Sequence, residues 1–345
     1  MNKLLSLSIS AYNKEQYLEQ CIQSLLIPSL DKLEIIVVND GSTDHTSEIA
    51  HKYAAQYPDS IIAIDKPNGH TGSCVNASLK IATGKYYRLL DADDYFVTDN
   101  LEKYVTELQH TDADMIITTH VICRKYPVYV KPQNVKIGFI YSQSDICFHK
   151  LDMDACLGMH GVTYKREILN NIHLTLTEMS AFADSEFAYY PIVACKTVQF
   201  FDFELYMYRT NVEGQQSTIV SENQKEQAYI VAKRMLDDYI RNKSKDMIVR
   251  SNQRVVLERT LIGYYALYIL HFAKNEKDNH RIQEMDNLLK AYDRVTYENL
   301  NKAYCLKLKF VKWHRKTGYT LKYIVFLLFS LRHVYRKILH PHLNN

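Results

Sequence analysis

The sequence lacks the glycine-rich turns by which the commonest nucleotide-binding α/β proteins hold phosphate. No G-x-G-x-x-G follows its first apolar run, and no G-x-x-x-x-G-K-[ST] occurs anywhere in the 345 residues. Dinucleotide dehydrogenases and P-loop enzymes are discounted, because each needs its turn to bring backbone N–H groups onto phosphate. Metal-ligand cysteine spacing is missing too. The seven cysteines (21, 74, 123, 147, 156, 195 and 305) are odd in number and scattered, and they form no C-x-x-C. That argues against a zinc site or a disulfide framework and makes a reducing cytosol the natural compartment. The stretch from Met1 to Ala11 alternates like a strand and has no clear small-x-small cleavage site, so a first strand is expected there. With 47% hydrophobic and 23% charged residues the chain has the balance of a folded protein.

Acidic residues are absent from 301–345, which hold ten Lys and Arg. The whole chain carries +3, so the first 300 residues carry −7 and only the tail is a candidate for anionic partners. Within the tail, Tyr323 to Leu331 is an apolar run of nine residues. That is about half of the ~20 needed to span a bilayer as a helix, so this segment could lie on a membrane without crossing it. Trp313 and several tyrosines suit the headgroup boundary. Nucleic acid is the rival for the same charge, but the apolar run has no purpose on a phosphate backbone. A basic helix pair packed on the protein is the third reading.

What is present begins with alternation. Residues 4–11 read as a strand, followed by a helix with Tyr17, Leu18, Cys21, Ile22, Leu25 and Leu26 on one face. Leu33 to Val38 is a β-branched run that stops at Asn39-Asp40-Gly41-Ser42-Thr43-Asp44, with Asp44 expected to N-cap a helix reaching Tyr57. Ser60 to Ile64 is a third strand, Asn68 to Gly72 a flexible loop, and 73–82 a helix. The fourth strand ends in Leu89-Leu90-Asp91-Ala92-Asp93-Asp94, three carboxylates within four positions. In extended chain Asp91 and Asp93 point the same way and repel unless a divalent ion or donor groups neutralise them. Mg2+ or Mn2+ would take one or two carboxylates and leave other positions to phosphate oxygens. The competing reading is an Asp-rich turn that caps the next helix.

This alternation predicts an α/β fold with a parallel, right-handed sheet. Its crevice would gather Ala11, Tyr12, Asn13, Asp40 and residues 91–94 at the carboxyl ends of strands one, two and four. An aromatic face for a base, a carboxylate for a base N–H or ribose hydroxyl, and acidic metal ligands suit a nucleoside diphosphate. The plainer alternatives are that Tyr12 seals the sheet edge and Asp40 shapes an Asp-Gly turn.

Four segments, Ser10-Ala11-Tyr12-Asn13-x-Glu15, Val38 to Asp44, Asn68-Gly69 with Asn76, and Leu90 to Asp94, resemble in order and spacing the signatures of family 2 glycosyltransferases. The resemblance covers roughly residues 4–218. It implies the GT-A fold, a Rossmann-like and mostly parallel sheet flanked by helices. It also implies that Tyr12 stacks on the nucleobase, Asp40 bonds the base or ribose, Asp91 faces the ribose or donor sugar, and Asp93 binds the metal. Ala11, Glu15 and Asn76, in the same signatures, join the donor-binding set. Phe182-Ala183-Asp184-Ser185-Glu186-Phe187 resembles the segment whose aspartate is the catalytic base, which selects Asp184 over Glu186. Tyr206 to Arg209, followed by Glu213 to Ser217, resembles a loop that closes over the diphosphate through Arg209, Gln216 and Ser217. The alternative for Arg209 is a surface arginine on a strand edge. Three positions depart from the family pattern: Ser10 for a usual proline, Val75 for a frequent arginine, and Ala183 for a common acidic residue. The missing arginine leaves the donor sugar open. A sugar nucleotidyltransferase would share the sheet, but it usually opens with a glycine-rich basic loop, which Ser8 to Asn13 is not.

The expected organisation is a GT-A domain over 1–220, with nucleotide-binding (1–100) and acceptor-binding (101–220) halves. A helical region follows over 221–302, opened by a capping box at Ser221, and then the basic tail over 303–345. The helices could pack on the catalytic domain, pair two subunits or present the tail. Residues 124–150 carry no assignable pattern. The resemblance implies an inverting, metal-dependent transfer from a UDP-linked donor to a saccharide or lipid-linked saccharide. Its setting would be bacterial cell-surface polysaccharide assembly on the inner face of the plasma membrane, with no nucleic acid partner. The alternative is a binding or scaffold protein that keeps the nucleotide pocket without turnover.

Overall fold

The computed structural model describes residues 3–151, 156–210, 212, 221–242, 244–267, 276–302, 312–313 and 315–318. The first hundred residues give β1 (Leu5–Ala11), α1 (Leu18–Gln23), β2 (Leu33–Asn39), α2 (Thr46–Gln56), β3 (Ile61–Asp65), α3 (His70–Ile81) and β4 (Tyr86–Asp91). Strand β1 shows how sequence becomes layers. Leu5, Leu7, Ile9 and Ala11 enter one core cluster with Leu18, Cys21, Ile22 and Leu25 on the α1 side. The alternate residues are small and polar: Ser8 Oγ lies 2.7 Å from Ser78 Oγ of α3, and Ser6 Oγ donates to Glu34 at 2.5 Å. Each fully buried Leu or Ile contributes about 1.5–3 kcal/mol, and each buried hydroxyl is satisfied, so both faces of β1 can be covered.

The chain continues through β5 (Tyr95–Phe96), α4 (Thr98–His110), β6 (Met115–Cys123), β7 (Val128–Val130), β8 (Ile140–Ser142), β9 (Val162–Lys165), α5 (Arg166–Asn171), α6 (Ala183–Tyr189) and β10 (Thr197–Arg209). All ten strands form one sheet in the order β3-β2-β1-β4-β9-β6-β10-β5, with β7 on β6 and β8 on β10. The expected parallel sheet holds for β3, β2, β1 and β4. Beyond them β9 inserts antiparallel between β4 and β6 and makes the sheet mixed, while β6 and β10 again pair in parallel. Two local expectations are also corrected. Helix α3 begins at His70, inside the predicted loop, because Asp40 accepts the Gly69 and His70 N–H groups and ends the loop early. Asp44 is not the N-cap of α2; His45 holds that position, and Asp44 instead accepts from Thr46 N and Glu15 N.

The chain divides into two compact units, residues 1–219 with 244–256, and residues 220–243 with 257–345. The predicted helical region is therefore shared between them. In the first unit, the start of α8 (Met247–Leu267), which follows α7 (Glu222–Arg241), is tied by Asn252, whose side chain accepts from Phe148 N and donates to Ile146 O. In the second unit α7 opens with the expected capping box, Ser221 with Gln224, and is joined by α9 (Glu276–Tyr292) and α10 (Arg294–Asn299). Here Arg315 forms a two-pronged pair with Asp286, donating from Nε at 2.7 Å and again from Nη2. Its guanidinium also lies 4.2 Å from the Tyr297 ring centre. At least this basic residue of the predicted tail is a packing element. The rest of 303–345, apart from residues 312–313 and 316–318, lies outside the described residues. No described helix is long and apolar enough to cross a membrane.

Candidate active site

Parallel pairing puts Ser10 opposite Asp91 and Ala11 opposite Asn39, so the loops after β1, β2 and β4 leave the sheet side by side. Those loops are bonded to each other. Asn13, with a left-handed φ of 51°, accepts from Thr43 N at 2.8 Å, and its own N–H donates to Ser42 Oγ. The N–H of Lys14 donates to Thr46 Oγ1. The cavity they enclose measures about 210 Å3, with Ala11, Tyr12, Lys14, Asp40, His70, Asp91, Asp93, His160, Asp184 and Tyr208 in its lining. Tyr12 is 42% exposed at its rim.

The carboxylates crowd as their spacing implies. Burial, and then the charges of Asp93, Asp94 and Asp184, hold the Asp91 carboxyl well above the usual carboxylate range. Asp94 is buried and pushed up to about 7 by burial and by Asp93, against the opposing pull of the Tyr206 hydroxyl and Arg209 N–H that it accepts at 2.6 and 2.7 Å. Asp93 is ion-paired with Lys14 at 2.9 Å. One ligand atom from each of Asp91, Asp94 and His160 lies within 4.8 Å of the others, a set of two oxygens and a nitrogen. Such a donor set, among carboxylates that resist ionising without a counter-charge, fits a divalent cation of the Mn2+ type.

Asp184 and Glu186 separate clearly. Asp184 sits in the first turn of α6 and lines the cavity. Glu186 is fully buried and accepts from Thr177 N at 2.6 Å and Thr177 Oγ1 at 2.9 Å. Asp40 lines the cavity while its carboxylate holds the approach to α3, accepting from Lys66 Nζ at 2.5 Å, Gly69 N at 2.9 Å and His70 N at 2.8 Å. It therefore shapes its turn and faces the crevice at once.

Three predicted donor contacts fall outside the cavity lining. Glu15 accepts from His45 N. Asn76 is tied to Leu176 through both of its amide atoms and donates to Glu178. Arg209 donates to Asp93 O at 2.5 Å and to Gln20, and stacks on Tyr95 with 4.6 Å to the ring centre. Gln216 and Ser217 lie outside the described residues. The lining residues that sequence reasoning missed include Lys14, His70, His160 and Tyr208. Behind them stands Arg88, which is fully buried and donates to Thr163, Thr118 and the His160 carbonyl. Only Lys14 had a local signal, being a lysine between Tyr12 and Glu15.

This arrangement defines a nucleotide-type crevice at the carboxyl edge of a GT-A-like sheet. The chain superposes on S. aureus TarS 1-349 in complex with UDP-GlcNAc with a TM-score of 0.64 at 16% identity, covering 85% of this chain and 82% of that one. That likeness establishes the GT-A fold. Residues 6–169 match the profile described as Glycosyl transferase family 2, and the chain carries a domain of that family. It is 30% identical over 221 residues to an uncharacterized glycosyltransferase, EpsJ, of Bacillus subtilis, covering 61% of this chain and 62% of that protein. It is 26% identical over 210 residues to the teichoic acid poly(glycerol phosphate) polymerase of Staphylococcus epidermidis, covering 60% of this chain and 28% of that protein. The matched region thus spans less than two thirds of these relatives.

Proposed function

We propose that this chain transfers a sugar from a UDP-linked donor to an acceptor hydroxyl, with inversion, during assembly of a bacterial cell-surface polysaccharide or glycolipid. The observation that carries the reading is the grouping of Tyr12, Asp40, Asp91, Asp93 and Asp184 around one cavity at the carboxyl edge of the sheet. Tyr12 offers its ring to the base, and Asp40 fixes the loop that borders it. Lys14 would donate to the diphosphate from the cavity wall, and Arg209 would do so by turning in from its contacts with Asp93 O and Gln20 outside the lining. Asp184 accepts the acceptor proton as the new C–O bond forms. A divalent cation would be held by the Asp91, Asp93 and Asp94 carboxylates with His160, and would supply charge neutralisation for the departing diphosphate. The imidazole in that set favours Mn2+ over Mg2+.

The test is thermal stabilisation by a panel of nucleotide sugars with Mn2+, UDP-GlcNAc first, followed by UDP release. A donor held at 100 times its Kd should add about 2.7 kcal/mol to stability. A panel that stabilises nothing refutes the donor reading. Stabilisation without UDP release, across saccharide and lipid-linked acceptors, would instead favour a nucleotide-sugar-binding protein without turnover.

A further inference from the structure

Strand β6 runs parallel to β4, because β9 lies between them and is antiparallel to both. Its carboxyl end therefore lies on the edge of the sheet that carries Asp91, and the pairing of Cys123 with Arg209 fixes it there. Beyond Cys123 the chain turns through Arg124, Lys125, Tyr126 and Pro127 and returns as β7. All four turn residues are exposed, Tyr126 to 77%, and so are Tyr129 (55%) and Val128 (42%) of β7. Exposed aromatic and aliphatic groups gathered at one tip mark an interaction surface. No acidic residue occurs between Asp114 and Asp145 in the sequence, whereas Arg124, Lys125, Lys131 and Lys136 do. Of these, Lys131 faces Asp202 at 3.9 Å.

We propose that this hairpin tip docks on a lipid surface with anionic headgroups. Tyrosine rings settle at the headgroup boundary with the hydroxyl in water, and Arg124 and Lys125 meet lipid phosphate while their stems stay apolar. A soluble polyanion would match the charge and leave Tyr126, Val128 and Tyr129 without a partner, which is why the lipid is favoured. A docked tip turns the crevice edge of the sheet toward the bilayer, where a lipid-borne acceptor would lie. The proposal is independent of the chemistry read for the crevice, since docking is measured without turnover.

The test uses the full chain with its one tryptophan removed (Trp313→Phe) and an indole introduced at the tip (Tyr126→Trp). Vesicles of phosphatidylglycerol and phosphatidylcholine, with brominated acyl chains, should shift the emission to the blue and quench it; pure phosphatidylcholine should do neither. Adding Arg124→Gln with Lys125→Gln should weaken vesicle binding about 30-fold, from ~1 kcal/mol per basic side chain. Unchanged emission from protein that still sediments with the vesicles would overturn the proposal, because another segment would then be the anchor. An equal shift with soluble polyphosphate would overturn the lipid assignment.

Discussion

Asp184 and Glu186 are two carboxylates in one helical turn, and they should fail in opposite ways when neutralised. At about 100° per residue their side chains leave α6 roughly 200° apart, and the structure puts one in the cavity and the other in the interior. Glu186→Gln keeps the shape but removes the charge that Thr177 N and Oγ1 donate to. Charge-assisted bonds contribute ~1.5–3 kcal/mol each, and the amide retains part of one, so a loss of about 2–4 kcal/mol in folding stability is expected. Transfer should stay within about tenfold, because Glu186 is buried behind the site and does not line the cavity. Asp184→Asn relieves repulsion with Asp91 and should leave stability equal or higher. Its cost falls on the rate, ~10²- to 10⁴-fold, which corresponds to about 3–5 kcal/mol of activation free energy. Urea unfolding and UDP release in the presence of acceptor measure the two quantities separately. A Glu186→Gln protein that is stable and inactive, or an Asp184→Asn protein that turns over normally, would refute the assignment.

The Asp94 carboxyl, raised from 3.8 to about 7, is protonated more readily in the folded protein than in the unfolded one. The contribution of this carboxyl to the stability of the metal-free protein should therefore be fully present below pH ~4 and be lost as pH rises toward 7. Calorimetry with and without Mn2+ should show metal stabilisation growing over the same window, and a flat metal-free profile would count against it. Arg315→Ala takes the paired cation from the fully buried Asp286 carboxylate, which still accepts from the Tyr265 hydroxyl, a loss of about 3–5 kcal/mol measurable by urea unfolding of the second unit. For the same reason truncation before Leu306 is expected to destabilise the protein, and a clean test of the tail should cut after Gly318. Lys14→Met removes the cation paired with Asp93 and should tighten Mn2+ binding without nucleotide while weakening UDP binding. Asp93→Asn should lose Mn2+-dependent UDP binding, and calorimetric titration reads both.

What was legible in the sequence was what is local in the chain. Ala11, Asp40 and Asp91 each close a stretch patterned as a strand, so their arrival at one sheet edge follows from parallel pairing alone. Asp184 required the family resemblance, because nothing in its own segment says which face of α6 meets a cavity. The insertion of β9 was not legible, since its partners are separated from it by many tens of residues and its four residues look like any short buried strand. Strands β7 and β8 were missed for the opposite reason: they are short, exposed edge strands whose residues show no buried alternation. Asn76 was assigned by motif and then found bonded to Leu176, because a motif conveys which residue is present and not which partner satisfies it.

Arg88 shows how the half that is local and the half that is not are joined. It stands three residues before Asp91 in the buried part of β4, and its guanidinium lies over the rings of Phe96 and Tyr104, at 5.3 and 5.9 Å. A buried cation is costly, and burial depresses the basicity of this one, yet among the described residues no carboxylate accepts a hydrogen bond from it. Its bonds go instead to hydroxyls on β9 and β6 and to the carbonyl of His160. An apolar side chain would fill the same space more cheaply, but it could not bond three separate elements at once. The elements it ties, β4, β6 and the approach to β9, are those that set His160 beside the carboxylates following β4. The nucleotide half needs no such tie, because Asn13, Lys14 and Asp40 already lock its loops to one another. The cost of burying Arg88 is thus consistent with a demand on position: two ligand groups distant in sequence must meet within a few ångströms, and only a multivalent donor in the core can hold both walls.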